Sequence, residues 1–182
     1  MNQLHVPSWL TESEYKNLPV HERYLQSAAA RLGTRETSRN SSRIIDIFLE
    51  FVGLGPGYAW CAAFVYWCLI VAGVPAHLLP KKRASAAVVS WHRWAAANKL
   101  FTTTPERGDI MLWVNQDGIT GHMGFVTEAN LDARVQSTDT IEGNTNKEGG
   151  REGNVVARQV RPIRGRIRYV SLRKFLAIKG VK

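Results

Sequence analysis

Tyr58-Ala59-Trp60-Cys61-Ala62-Ala63-Phe64-Val65-Tyr66-Trp67-Cys68 is the stretch on which the reading of this chain turns. Gly55-Pro56-Gly57 before it is a turn signal and Gly73-Val74-Pro75 after it a stop signal. The apolar run between them predicts one helix with Cys61 in its first turn. Unpaired N–H groups and the macrodipole at a helix N-terminus favour an anion, so a thiol held there gives up its proton more readily than a free one. The thiolate is the nucleophile, and Cys61 therefore stands where a cysteine enzyme keeps its reactive sulfur. Cys68 is an internal control. It lies about 10 Å further along the same helix at about 1.5 Å rise per residue, inside a run of Phe, Val, Trp and Leu where nothing favours a thiolate. It reads as a small buried hydrophobe.

Working outward, Ser41 and Ser42 are N-cap candidates for a helix running to Phe51. Ile44, Ile45, Phe48 and Leu49 form its buried stripe, and Gly53 lies past its end. Residues 22–32 read as an earlier helix stopped by Gly33, with Tyr24, Ala28 and Leu32 on one face. Residues 34–40 are a polar loop and residues 1–20 a lead-in segment. Downstream, residues 85–99 predict a fourth helix whose Trp91 and Trp94 read as core. After Pro105 the texture changes to strands at 108–114 and 122–127, joined by the turn Asn115-Gln116-Asp117-Gly118, with further strands near 138–143, 155–160 and 166–170. Helices first and antiparallel strands after is an α+β order. No repeat or linker divides the 182 residues, so a single domain over 1–182 is expected, with 161–182 as a basic C-terminal part.

A hydrophobic fraction of 45% with six Trp argues for a folded chain and against disorder. No apolar run is long enough to span a bilayer, and Met1-Asn2-Gln3-Leu4-His5-Val6-Pro7 lacks the pattern of a secretory signal, so synthesis in the cytoplasm is expected. Two cysteines on one helix at that separation cannot reach disulfide geometry. No zinc spacing occurs and the five His are scattered, so neither a metal nor another cofactor is expected. The net charge of +9 is carried entirely beyond Glu152, where Arg158, Arg161, Arg164, Arg166, Arg168, Arg173, Lys174, Lys179 and Lys182 meet no acidic residue. Such one-sided charge points to an anionic partner, whether nucleic acid, lipid headgroups or a wall polymer. It equally fits a solvated strand face, because Arg164, Arg166 and Arg168 alternate with Gly165, Ile167 and Tyr169.

A thiolate enzyme needs a base to take and return the proton, and a third group to orient that base. Among the five His, His122 is the best placed. It begins an apolar strand, and the next residue on its own face is Gly124, which has no side chain to block a helix end or a substrate. The orienting group is sought in Thr140-Ile141-Glu142-Gly143-Asn144, where Glu142 and Asn144 fall on the same side of an extended strand. A carboxylate there would stabilise an imidazolium, whereas an amide would only hold the ring.

Taken in order, Trp60-Cys61-Ala62-Ala63-Phe64-Val65, Gly108-Asp109-Ile110, Gly121-His122-Met123-Gly124-Phe125-Val126 and Glu142-Gly143-Asn144 resemble the successive motifs of CHAP domains. These are the cysteine, histidine-dependent amidohydrolases/peptidases, relatives of the NlpC-type wall hydrolases, and the likeness runs over about residues 7–160. The resemblance implies a papain-like α+β fold: N-terminal helices, with the nucleophilic Cys at a helix N-terminus, packed on a C-terminal antiparallel sheet. It implies Cys61 as nucleophile, His122 as general base and acid, Glu142 as the orienting group and Asn144 as a further polar member. The Cys61 backbone N–H would be an oxyanion donor. The implied substrate is peptidoglycan, cut between sugar and stem peptide or within the peptides. Some members hold calcium through an N-terminal acidic cluster; none is present here, so no metal is carried over. Tyr58, Trp60 and Trp113 are candidates to line a substrate groove, and Lys147 and Arg151, in the glycine-rich loop 144–154, to meet acidic stem peptides.

The leading expectation is a thiol-dependent N-acetylmuramoyl-L-alanine amidase or peptide endopeptidase. It would reach the wall by phage-induced lysis, on a phage particle or by contact-dependent secretion, the last requiring an immunity protein. One rival keeps the chemistry and changes the substrate, as in papain-like proteases, deamidases and acyltransferases. Another is a basic nucleic-acid or wall-binding domain with an inert Cys61, against which the charge beyond Glu152 lacks interleaved aromatics.

Overall fold

No charged residue interrupts the sequence from Cys61 to Val71, and that segment forms one helix, α4 (Cys61–Val71), buried along its length except at Ile70. A helix that is apolar on every side belongs inside a protein, and the remaining elements surround it. In the computed structural model, which describes residues 6–132, 134–146 and 153–181, four other helices precede the sheet. They are α1 (Glu12–Asn17), α2 (Val20–Ala29), α3 (Arg43–Phe51) and α5 (Val88–Ala97). The strands are β1 (Phe101–Thr102), β2 (Ile110–Val114), β3 (Gly121–Asn130), β4 (Ser137–Thr145), β5 (Val155–Pro162) and β6 (Arg168–Val170), and α6 (Leu172–Ile178) ends the chain. The architecture is α+β, with one six-stranded antiparallel sheet in the order β1-β6-β2-β3-β4-β5.

Helix α4 packs against α2 and α3 and against β3 and β4. Ser42 caps α3 by accepting from the Ile45 N–H at 3.3 Å, while Ser41 donates to Asp46 at 3.1 Å. Ile45, Phe48 and Leu49 are buried and Ile44 half-buried. The Phe48 ring meets Phe64 at 5.5 Å and Trp67 at 4.9 Å, locking α3 onto α4. Residues of β2 and β3 alternate between two clusters. Ile110, Leu112, Met123 and Phe125 join the main core, whereas Met111, Trp113 and Val126 gather with Tyr169 on the other face.

The structure departs from the sequence expectations in places with identifiable causes. The described part of the lead-in, from residue 6 on, holds a helix. Thr11 and Glu14 form a capping box that starts α1, whose Tyr15 is fully buried with its hydroxyl 2.8 Å from Ser27. Six residues are too few to show a period. The helix expected over 22–32 stops at Ala29, which leaves Leu32 exposed, and the one expected from Ser85 begins as a 3-10 turn, with α5 proper starting at Val88. The alternation at 164–168 is not a strand face: residues 163–167 turn, and β6 begins only at Arg168. Several of the basic residues beyond Glu152 are paired with acidic side chains. Arg173 and Lys174 both pair with Glu106, the latter at 2.7 Å, and Arg161 pairs with Glu142. Among the described residues, no helix is long and apolar enough to cross a membrane.

Candidate active site

Cys61 is the first residue of α4, and the helix opens without a side-chain cap from its own sequence. The cap comes from across the molecule, where Asn144 on β4 accepts from the Trp60 N–H at 3.0 Å. The first rung of the helix ladder is Phe64 N–H to Trp60 O at 2.8 Å, so the N–H groups of Cys61, Ala62 and Ala63 precede it. Two glycines let sheet and helix end approach. A Cβ on Gly143 would come within 2.7 Å of the Trp60 ring and 2.9 Å of Phe64, and one on Gly124 within 2.5 Å of the Glu142 side chain and 2.7 Å of the Ile141 carbonyl. Gly124 thus makes room for Glu142, its cross-strand partner, rather than for the helix or a substrate.

His122 and Glu142 are fully buried, and their side chains meet with Nε2 to Oε2 at 2.8 Å. The carboxylate is held from three sides. Arg161 Nε donates to Oε1 at 2.7 Å, a second guanidinium nitrogen donates to Oε2, and the Thr140 hydroxyl donates to Oε1 at 2.6 Å. Burial alone would raise the Glu142 pKa, but hydrogen bonds from Arg161 and then His122 outweigh it and bring the carboxyl down to about 2. An ionised Glu142 only accepts, so Nε2 of His122 is the donor and Nδ1 is left for a different partner. Nδ1 has no partner meeting strict hydrogen-bond geometry among the described residues, and the Cys61 thiol lies within reach of the ring. Burial pulls the His122 pKa down, but interactions with Cys61 and Glu142 together reverse this and raise it to about 9. Cys61 is 6% exposed and lines an open cleft of about 580 Å³. Cys68 is fully enclosed, and burial raises its thiol pKa well above the ordinary value.

Cys61, His122 and Glu142 are therefore together, and Asn144 adjoins them in a different role from the one its spacing implied. Asn144 has φ +56°, and the β4–β5 register shifts between Glu142 and Thr145, so the alternation that put Asn144 on the side of Glu142 breaks there. Its amide points to the helix end and to the Gly153 carbonyl, at 2.5 Å, and the imidazole is oriented by Glu142. Tyr58 lines the cleft and is 56% exposed. Trp60 does not line it: the ring is fully buried and its Nε1 donates to Glu36 at 2.9 Å. Trp113 is also away from the cleft. It packs at 4.9 Å beside the His122 ring and 5.1 Å beneath the Arg161 guanidinium, a platform for both. Lys147 and Arg151 lie outside the described residues.

Sequence reasoning missed Arg161, Thr140 and Glu36. Thr138, Thr140 and Glu142 alternate along β4, and Arg161 on β5 pairs with Thr138, from where its long side chain reaches along the face to Glu142. Only the register reveals this. Chemically, the arrangement offers a sulfur at a solvent-open helix end, a buried imidazole beside it and an anion fixing that imidazole.

In a comparison with known families, residues 53–144, half of the chain, match the CHAP domain. Neither a curated protein nor a solved structure gives a match. With that match, the chain belongs to the CHAP family of cysteine- and histidine-dependent amidohydrolases and peptidases.

Proposed function

We propose that this protein hydrolyses amide bonds of bacterial peptidoglycan through a thioester on Cys61. The observation that carries the reading is the division of the His122 ring, with Nε2 committed to Glu142 and Nδ1 left for the sulfur of a cysteine that lines an open cleft. In this reading His122, its pKa raised to about 9, is the acceptor of the Cys61 proton. The thiolate attacks the carbonyl carbon of the scissile amide, and the oxyanion is met by the N–H of Cys61 at the helix start. His122 gives its Nδ1 proton to the leaving nitrogen, the C–N bond breaks, and the acyl group remains on sulfur. The neutral imidazole then takes a proton from water, whose oxygen displaces the sulfur and releases a carboxylic acid. Glu142 stabilises the imidazolium in both steps, Asn144 holds the helix end, and Tyr58 contacts substrate at the cleft wall.

Incubation with purified sacculi tests this. Soluble muropeptides are expected from the native protein and none from the Cys61→Ala or His122→Ala proteins, with the folds of both unchanged. Mass spectrometry of the products separates an N-acetylmuramoyl-L-alanine amidase from an endopeptidase by the new chain ends. Release of nothing from any wall type would favour a cysteine protease, deamidase or acyltransferase of another substrate. The reading suits a phage lysin or a contact-delivered antibacterial effector, and co-purification of an inhibitory partner from the producing cell would select the second.

A further inference from the structure

Among the described residues, the cleft beside Cys61 presents a cation that no neighbouring anion pairs with. Among the described residues lining it, Glu36 is the one anion and Arg39 the one cation. Both oxygens of Glu36 are engaged, Oε1 accepting from Trp60 Nε1 at 2.9 Å and Oε2 from the Asn40 N–H at 2.8 Å. The Arg39 guanidinium has no hydrogen bond or ion pair with the described residues. Most of the other polar side chains of the wall are neutral amides, from Asn40, Asn144, Asn146 and Asn154.

The turn that carries Arg39 is a built part of the wall. Thr37 N–H and Ser38 N–H both donate to Ser41 O, at 2.9 and 3.2 Å, and Gly57 N–H donates to Asn40 O at 3.2 Å. Asn40 itself has φ +52°, a conformation held by these bonds. Through Asn40, Glu36 and Trp60 the turn is tied to the residue preceding the nucleophile. A guanidinium on such a mount is suited to the planar, two-oxygen geometry of a carboxylate.

We propose that Arg39 is a specificity-determining residue that binds a free carboxylate of the substrate peptide, while the wall amides other than that of Asn144 take its backbone. The inference rests on the hydrolase reading above and narrows it: the substrates cleaved best carry an ionised carboxyl group near the scissile bond, and amidation of that group weakens them.

The test uses two pairs of soluble muropeptides. In one pair the α-carboxyl of the second stem residue is free or a carboxamide; in the other the C-terminal carboxyl is free or a carboxamide. In one of the pairs the native protein is expected to show kcat/KM about tenfold to a hundredfold higher on the carboxylate form, mainly through KM, as for one charge-assisted pair. Arg39→Gln is expected to erase that preference with little change on the carboxamide form, and Arg39→Lys to restore part of it. Equal loss on both forms, or no preference in the native protein, would overturn the proposal. Binding of the same four ligands to the Cys61→Ala protein reads recognition apart from turnover. A carboxylate preference there without cleavage by the native protein would sink the hydrolase reading and leave this one standing, whereas cleavage without preference would do the reverse.

Discussion

His122 has two nitrogens, and the one that meets the sulfur is decided by Glu142, itself kept ionised by Arg161. With the imidazole pKa raised to about 9, the alkaline limb of kcat/KM is expected near pH 9, where the ring loses the proton it must pass to the leaving amine. A limb near 6.5, the ordinary histidine value, would mean that the ring is not held by this pair. Glu142→Gln is expected to lower kcat by about tenfold to a hundredfold and to move that limb to lower pH, because an amide holds the ring without offsetting its charge. Arg161→Gln acts one step further back. Its hydrogen bonds are the main force depressing the Glu142 pKa, so without them the carboxylate takes a proton at higher pH and the acid limb moves up. Removing one partner of this buried pair is also expected to cost about 3 kcal/mol in urea unfolding. Cys61 and His122 stood out as candidates because each motif carries its own chemistry, whereas strand spacing left Glu142 and Asn144 as alternatives for the orienting group. Arg161 did not stand out, since nothing in the sequence around it differs from the other arginines beyond Glu152.

Elements meet at this site through residues that have little or no side chain. Gly124→Ala places a methyl group 2.5 Å from Glu142 and 2.7 Å from a carbonyl that cannot yield cheaply. It is expected to lower kcat at least tenfold and to destabilise the protein by about 2 kcal/mol, as overpacking does. An unchanged kcat with a lowered Tm would show that displacement of Glu142 does not matter to turnover. The helices and most strands were readable from turn punctuation and period, down to the Ser42 cap of α3. What escaped were short pieces, namely α1 and β1, along with α6, whose Arg173 and Lys174 read as part of a basic tail. Asn144 escaped for a different reason. Strand parity assumes extended backbone, and a single left-handed residue sends its amide to the helix end instead of the imidazole.

At the scale of the whole molecule, Asp109 is the one buried carboxyl group outside the site among the described residues. It is fully enclosed, and one carboxyl oxygen accepts from the Glu106 N–H at 3.0 Å. Burial raises its pKa to about 7. The folded state then holds this proton to higher pH than the unfolded state, so the stability it contributes is complete below pH 4 and is lost as pH rises through about 7. Asp109→Asn is expected to flatten that slope, gaining on the native protein at pH 8 relative to pH 5 in urea unfolding; parallel curves at the two pH values would exclude the group as the source. The α+β order was legible from the succession of patterns, while the pairing of distant groups such as Glu106 with Arg173 and Lys174 depends on chain folding no local pattern encodes. The enclosure of Cys68 has a practical corollary. With its second sulfur shut away and its first at the cleft, the protein offers a single address to a thiol-directed titrant. One equivalent of label consumed per chain would then count competent molecules in any preparation, making every turnover number self-calibrating without an engineered cysteine.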